Sequence, residues 1–181
     1  MVVYLEYLKE FKKIKNIMKN IYKCSLILLF ALVASCTSEE GYADLTLDKS
    51  AVSEMSGDWY VETFVNGNLA LGYEVITVSN TPEDDGTAIQ IFDHSHIWEF
   101  NTAVPVNISS LTFEGSNLAS KVDDYEITVN ITNGAIVKNG TTSTSGRTAD
   151  KISFDIEFSD DPGTIYHIEG YKRTGFLEDE H

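Results

Sequence analysis

Between residues 59 and 171 apolar and polar residues tend to alternate singly, with no sustained recurrence every third or fourth position. Ile152-Ser153-Phe154-Asp155-Ile156-Glu157-Phe158 does so without a break, so a strand there buries one face and wets the other. β-Branched and aromatic residues recur in similar runs between turn-forming clusters, which is a strand signature. The pattern predicts strands over residues 59–65, 69–78, 88–92, 97–104, 111–114, 125–132, 135–137, 152–158 and 164–171. Asn66-Gly67-Asn68, the polar run from Ser79 to Gly86, Asp93–His96 and Asp160-Asp161-Pro162-Gly163 supply turns, for which Asn, Asp, Gly and Pro each have a local physical preference. Asn133-Gly134 is the strongest short hairpin signal and predicts that 135–137 folds back on 125–132. Eight or nine antiparallel strands on short connections make an all-β barrel or sandwich.

The first 35 residues follow a different pattern. Lys9, Lys12, Lys13, Lys15, Lys19 and Lys23 precede an uncharged apolar run, Ser25 to Ala34. A basic stretch, a short apolar run and then small residues form a signal peptide. The run falls short of the roughly 20 apolar residues that a bilayer span needs. Val33-Ala34-Ser35-Cys36 resembles the lipobox of bacterial lipoproteins, in which the cysteine sulfur takes the lipid. The expectation is cleavage after Ser35 and a lipid anchor on Cys36, which places the protein at the outer membrane or cell surface. A start at Met18 would leave a signal of ordinary length. Thr37-Ser38-Glu39-Glu40 resembles the acidic export tag of Bacteroidetes surface lipoproteins. Residues 36–53 read as a lipidated tether and 54–181 as one domain.

Cleavage changes the charge and the cysteine count. The whole chain has a net charge of −15, and residues 36–181 keep seven basic and 26 acidic residues, a net of −19. Such a surface argues against nucleic acid and against an anionic membrane face as partners. Cys24 leaves with the signal and Cys36 holds the lipid, so the domain has no disulfide and no cysteine metal site.

Candidate chemistry is sparse. Asp93-His94-Ser95-His96 sets two histidines two apart, and a third ligand such as Glu99, His167 or Glu169 would be needed for zinc. A hairpin turn with solvated imidazoles is the better reading, and no metal or cofactor is assigned. The acidic pairs Asp84-Asp85, Asp123-Asp124 and Asp160-Asp161 lack calcium-loop spacing and read as turns. No Gly-x-Ser-x-Gly is present, and alternation points His167 outward as a cross-strand surface pair, so no catalytic residue is assigned. Aromatic residues are many, and strand alternation puts about half inside. Tyr73, Trp98, Phe100 and Phe154 are the candidate ligand-lining residues.

Val129–Val137 (VNITNGAIV), Gly140–Gly146 (GTTSTSG), Asp150–Phe154 (DKISF) and Gly170–Asp179 (GYKRTGFLED) together resemble the Bacteroidetes lipoproteins labelled lipid-binding putative hydrolases. The resemblance spans about residues 54–180. It implies a calycin-type, lipocalin-like antiparallel up-and-down barrel of about eight strands. Gly57-Asp58-Trp59 is similar to the Gly-x-Trp that opens many lipocalins, in which an arginine from the barrel's end packs on the tryptophan. Arg173 is the candidate here, so Gly57, Trp59 and Arg173 are expected to close the barrel. The expected function is a cell-envelope lipoprotein that binds a small apolar or amphipathic, lipid-like ligand. The alternative is a non-catalytic surface subunit that captures glycan or neighbouring surface proteins with a filled barrel. Hydrolysis comes third. Whether the interior is open separates the first two.

Overall fold

The computed structural model describes residues 49–181, and Lys12, Lys13, Lys15, Met18 and Lys19, which are helical and exposed. The apolar run of the expected signal peptide, Cys36 and the expected tether to residue 48 lie outside the described residues. The segment from Asp48 to His181 is one compact unit.

Eight strands follow in order: β1 Gly57–Val65, β2 Asn68–Asn80, β3 Ala88–Phe92, β4 Asn101–Asn107, β5 Thr112–Ala119, β6 Thr128–Thr142, β7 Thr148–Phe158 and β8 Tyr166–Lys172. Each pairs antiparallel with the next, and β8 returns to β1, which closes an up-and-down barrel. Closure leaves no free sheet edge. Alternation sorts the side chains: Trp59 and Val61, Ile76 and Val78, Ile89 and Ile91, and Ile152, Phe154, Ile156 and Phe158 are all buried in one core.

The register defines two ends. The starts of β1, β3, β5 and β7 lie together, and the segment before β1 folds under them, with Val52 and Met55 buried in the core. Val52 therefore belongs to the domain, although the sequence puts it in the tether. The opposite end, called the mouth below, carries the β1–β2, β3–β4, β5–β6 and β7–β8 connections.

Three local expectations change. Asn133-Gly134 does not turn the chain. Asn133 adopts φ 56°, and the β6–β7 register shifts between Thr132 and Ala135, so the pair forms a bulge inside one long strand. A Cβ on Gly134 would collide with the Phe113 carbonyl on β5, so the close approach of β5 requires glycine. Residues 97–100 leave the ladder and join the β3–β4 loop. Finally, β4 and β5 pair only at Val106–Phe113 and Asn107–Thr112. The Val106 N–H donates to Thr87 on the β3 side, so position 105 faces β5, where Pro105 has no N–H to give.

The closed end also corrects one pairing. Trp59 lies opposite Lys172 in the β1–β8 ladder, and the Lys172 ammonium sits 5.6 Å from its ring centroid. Arg173 falls on the opposite parity. It lies 5.8 Å from the Tyr60 ring, on the outer face, and pairs with Glu180. The cation over the tryptophan is therefore Lys172, not Arg173. Gly57 allows this geometry: its φ is 136°, and a Cβ there would stand 2.7 Å from the Lys172 Cε.

Candidate functional site

The barrel interior is packed. Trp59, Val61, Ile76, Ile89, Ile91, Phe100, Val104, Ile131, Ile152, Phe154, Ile156, Phe158 and Ile168 have 0% exposure. A cavity of ligand size would leave accessible surface on the side chains around it, so the core is filled in this state. What fills it differs between the ends. Below, strand side chains, Val52 and Met55 do so. At the mouth, strand residues such as Val129 and Phe158 are joined by side chains from a loop.

That loop, residues 93–100, is held by one side chain. The Asp93 carboxylate is fully buried. Its Oδ1 accepts the N–H groups of Ser95 at 3.0 Å and Phe100 at 2.9 Å. Its Oδ2 accepts those of Ile97 at 3.3 Å, Trp98 at 2.9 Å and Glu99 at 2.8 Å. Charge-assisted bonds of this kind are the strong ones. They hold a strained path, because His94, Ser95 and Glu99 have φ of 55°, 61° and 83°. Such conformations cost about 1–3 kcal/mol each and persist only where their surroundings impose them.

The loop aims two aromatic residues at the core. The Trp98 indole stacks on Phe158 with centroids 4.7 Å apart and planes 9° apart, and lies 5.2 Å from the Tyr166 ring. Phe100 lies 5.6 Å from Phe158, fully buried. Trp98 Nε1 donates to Asp160 at 3.2 Å, Tyr125 donates to the same carboxylate, and Tyr166 donates to Asp161 at 2.7 Å. Burial first, and then the Asp161 hydrogen bond, push the Tyr166 phenol up to about 12. Thr63 faces inward on β1, two positions before Val65, which pairs with Tyr166 at the rim. Its hydroxyl is buried and has no hydrogen-bond partner. The connections around the mouth carry Glu99, Asp123, Asp124, Glu126, Asp160 and Asp161 against Lys121 alone.

The four candidate ligand-lining residues do not form one group. Trp98 and Phe100 meet at the mouth. Phe154 lies in the core, 5.6 Å from Phe113. Tyr73 is on the outer face of β2, stacked on His181 at 4.1 Å, so it does not line the interior. Ile76 and Val78 face inward, and Tyr73 falls on the opposite parity, a signal that was present in the sequence. Phe158, Tyr166 and Thr63 were not singled out, and Asp93 was read only as part of a hairpin turn. Alternation could have found Phe158, but the five-bond cage of Asp93 has no sequence signature.

The histidines are locally engaged. His94 Nε2 lies 2.8 Å from the Thr77 hydroxyl, and His96 Nδ1 lies 3.3 Å from Glu74. Both stand in the β3–β4 turn. His167 Nδ1 lies 2.7 Å from Asp155 across the β7–β8 ladder, on the outer face. The acids of Asp84-Asp85 and Asp160-Asp161 accept hydrogen bonds from nearby side chains. Among the described residues no three His, Cys, Asp or Glu side chains are arranged to hold a metal.

A closed eight-stranded antiparallel barrel with an apolar core defines the class of small up-and-down β-barrel proteins. The lipid-binding putative hydrolase family matches residues 44–177. The chain belongs to that family. No curated protein matches the chain.

Proposed function

We propose that this is a lipid-anchored protein of the cell envelope that takes the acyl chain of an amphipathic lipid into its mouth, in exchange for Trp98 and Phe100. The observation that carries the reading is the source of the mouth's filling. Buried Phe100 and half-buried Trp98 pack into that end of the barrel from a connecting loop, not from a strand. An acyl chain offers the same apolar contact, so exchange replaces one burial by another and leaves no void. The strained backbone of the loop lowers the cost of its release. The unpartnered Thr63 hydroxyl, on the inner face of β1 near the rim, is a hydrogen-bonding group for a polar atom of the ligand. The acidic rim disfavours an anionic head group, so the preferred ligand is neutral or zwitterionic. The anchor on Cys36 supplies the membrane attachment. Native mass spectrometry of the protein purified from its own host tests the reading. A retained mass of one lipid supports it. A ligand-free spectrum, with no uptake of monoacylglycerol, contradicts it.

A second reading has its own support. The filled core suits a surface subunit that works through its outer face, binding glycan or a neighbouring surface protein. Pull-down of a defined neighbour by a variant that binds no lipid would favour it. Catalysis is not proposed: among the described residues the aliphatic hydroxyl that meets an imidazole, that of Thr77 at 2.8 Å from His94 Nε2, lies on the outer face of β2.

A further inference from the structure

Six of the domain's seven basic residues, Lys49, Lys138, Arg147, Lys151, Lys172 and Arg173, lie toward the closed end or on the strands that reach it. Three are neutralised where they stand. Lys138 bridges Glu54 at 2.9 Å and Asp150 at 3.1 Å. Lys151 pairs with Glu169 at 2.6 Å, and Arg173 with Glu180. Among the described residues Lys49, Arg147 and Lys172 have no carboxylate within 4.0 Å, and of these Arg147 and Lys172 line one groove. In the segment from Asp48 to His181, with 23 acids, two unpaired cations lining one groove need a reason.

The groove has a volume of about 300 Å³ and lies between the start of β7 and the chain after β8. Arg147, Lys172 and Arg173 line it with Thr148, Thr174 and Phe176, and Asp150 is its one acid. Arg173 and Asp150 are already engaged, by Glu180 and Lys138, so the net field of the groove comes from Arg147 and Lys172. The Arg147 guanidinium lies 3.8 Å from the Phe176 ring centroid, which fixes its plane beside the opening. Lys172 is held over Trp59 and lies against Gly57. Burial, first of all, and the nearby Lys138 lower its pKa, while Asp150 and Glu54 oppose the shift. A fixed guanidinium fork and a partly desolvated ammonium together match a phosphate, which accepts both. Phe176 and Leu177, 47% and 86% exposed, place apolar surface at the same edge.

We infer that this groove is a phosphate-binding site, occupied by a phosphate ester with Arg147 and Lys172 as its two cationic partners. It is at the end of the barrel away from the mouth and does not rest on lipid uptake there.

Trp59 reports directly on the site, because the Lys172 ammonium lies over its ring. The test uses the full chain carrying Trp98→Phe, which leaves Trp59 as the sole tryptophan, in non-ionic detergent. It is titrated with inorganic phosphate, glycerol phosphate, and phosphatidylglycerol in mixed micelles, with phosphatidylcholine as control. A saturable change in Trp59 emission, weakened about tenfold or more by Arg147→Gln and by Lys172→Gln but not by Lys121→Gln, supports the site. A response to the soluble phosphates assigns a free solute as the source, and one confined to phosphatidylglycerol assigns a lipid head group. Arg147→Gln leaves the Trp59 contact intact, so it remains decisive if Lys172→Gln perturbs packing. No saturable response to any of the three phosphates, or one that Arg147→Gln leaves unchanged, overturns the inference.

Discussion

Thr63 is the residue at which structure and function conflict most visibly. A buried hydroxyl without a partner costs about 1–3 kcal/mol, and valine has nearly its shape. Thr63→Val is expected to raise the stability of the ligand-free protein by about 1 kcal/mol, a few degrees in melting temperature, while weakening monoacylglycerol binding. A variant that is both less stable and an equally good binder would contradict the assigned role. At the closed end, Trp59→Ala removes a fully buried indole from the core. It should cost about 3–5 kcal/mol in chemical denaturation. Trp59 was legible in the sequence from its glycine and its place in the first strand. Its partner was not read correctly, because the resemblance pointed to Arg173 and only the β1–β8 register sets Lys172 opposite it.

Two elements close the barrel by means that strand patterning does not reveal. The β3–β4 loop depends on Asp93. Asp93→Ala leaves five backbone N–H groups without their acceptor. It should cost at least about 3 kcal/mol and make Trp98 more accessible to acrylamide, with Trp59 still shielded. Unchanged quenching of Trp98 would remove the loop's assigned role. The C-terminal tail closes over the outer face of Tyr60 and Tyr171. Burial opposes ionisation of Asp179, but it accepts from the Ser145 N–H at 2.8 Å and the Thr174 hydroxyl at 2.7 Å, and these bonds hold its pKa far below the usual carboxylate range. Asp150, Asp155 and Glu169 are lowered too. A carboxylate lowered in the folded state contributes stability that is complete above its unfolded pKa of about 4 and is lost as pH falls below it. The melting temperature should therefore be flat from pH 7 to 5 and fall steeply below 4. In Asp179→Asn the fall should be shallower and start from a lower plateau. The strands themselves were readable because single alternation has one physical cause, a buried and a wet face. Asn133-Gly134 misled because the same left-handed preference serves a hairpin turn and a bulge. Only the neighbouring strand β5, which leaves no room for a Cβ at Gly134, decides between them.

At the scale of the whole molecule the charges are unevenly placed. The mouth is acidic, while Arg147 and Lys172, both without a carboxylate partner among the described residues, line a groove at the closed end, where the chain enters the barrel. Net charge alone cannot show this, which is why the acidity of the sequence argued against nucleic acid and an anionic membrane face and the groove was not foreseen. The packed core was also beyond the sequence: aromatic residues that plug a barrel and those that line a pocket follow the same alternation. The central claim is that the plug at the mouth exchanges with an acyl chain, and the two tryptophans at opposite ends permit a direct measurement. The full chain in non-ionic detergent is titrated with a monoacylglycerol brominated along its acyl chain, and tryptophan emission is followed. Exchange at the mouth predicts saturable quenching that is lost in Trp98→Phe, where Trp59 remains unquenched. No quenching of Trp98, or equal quenching of both tryptophans, would contradict it.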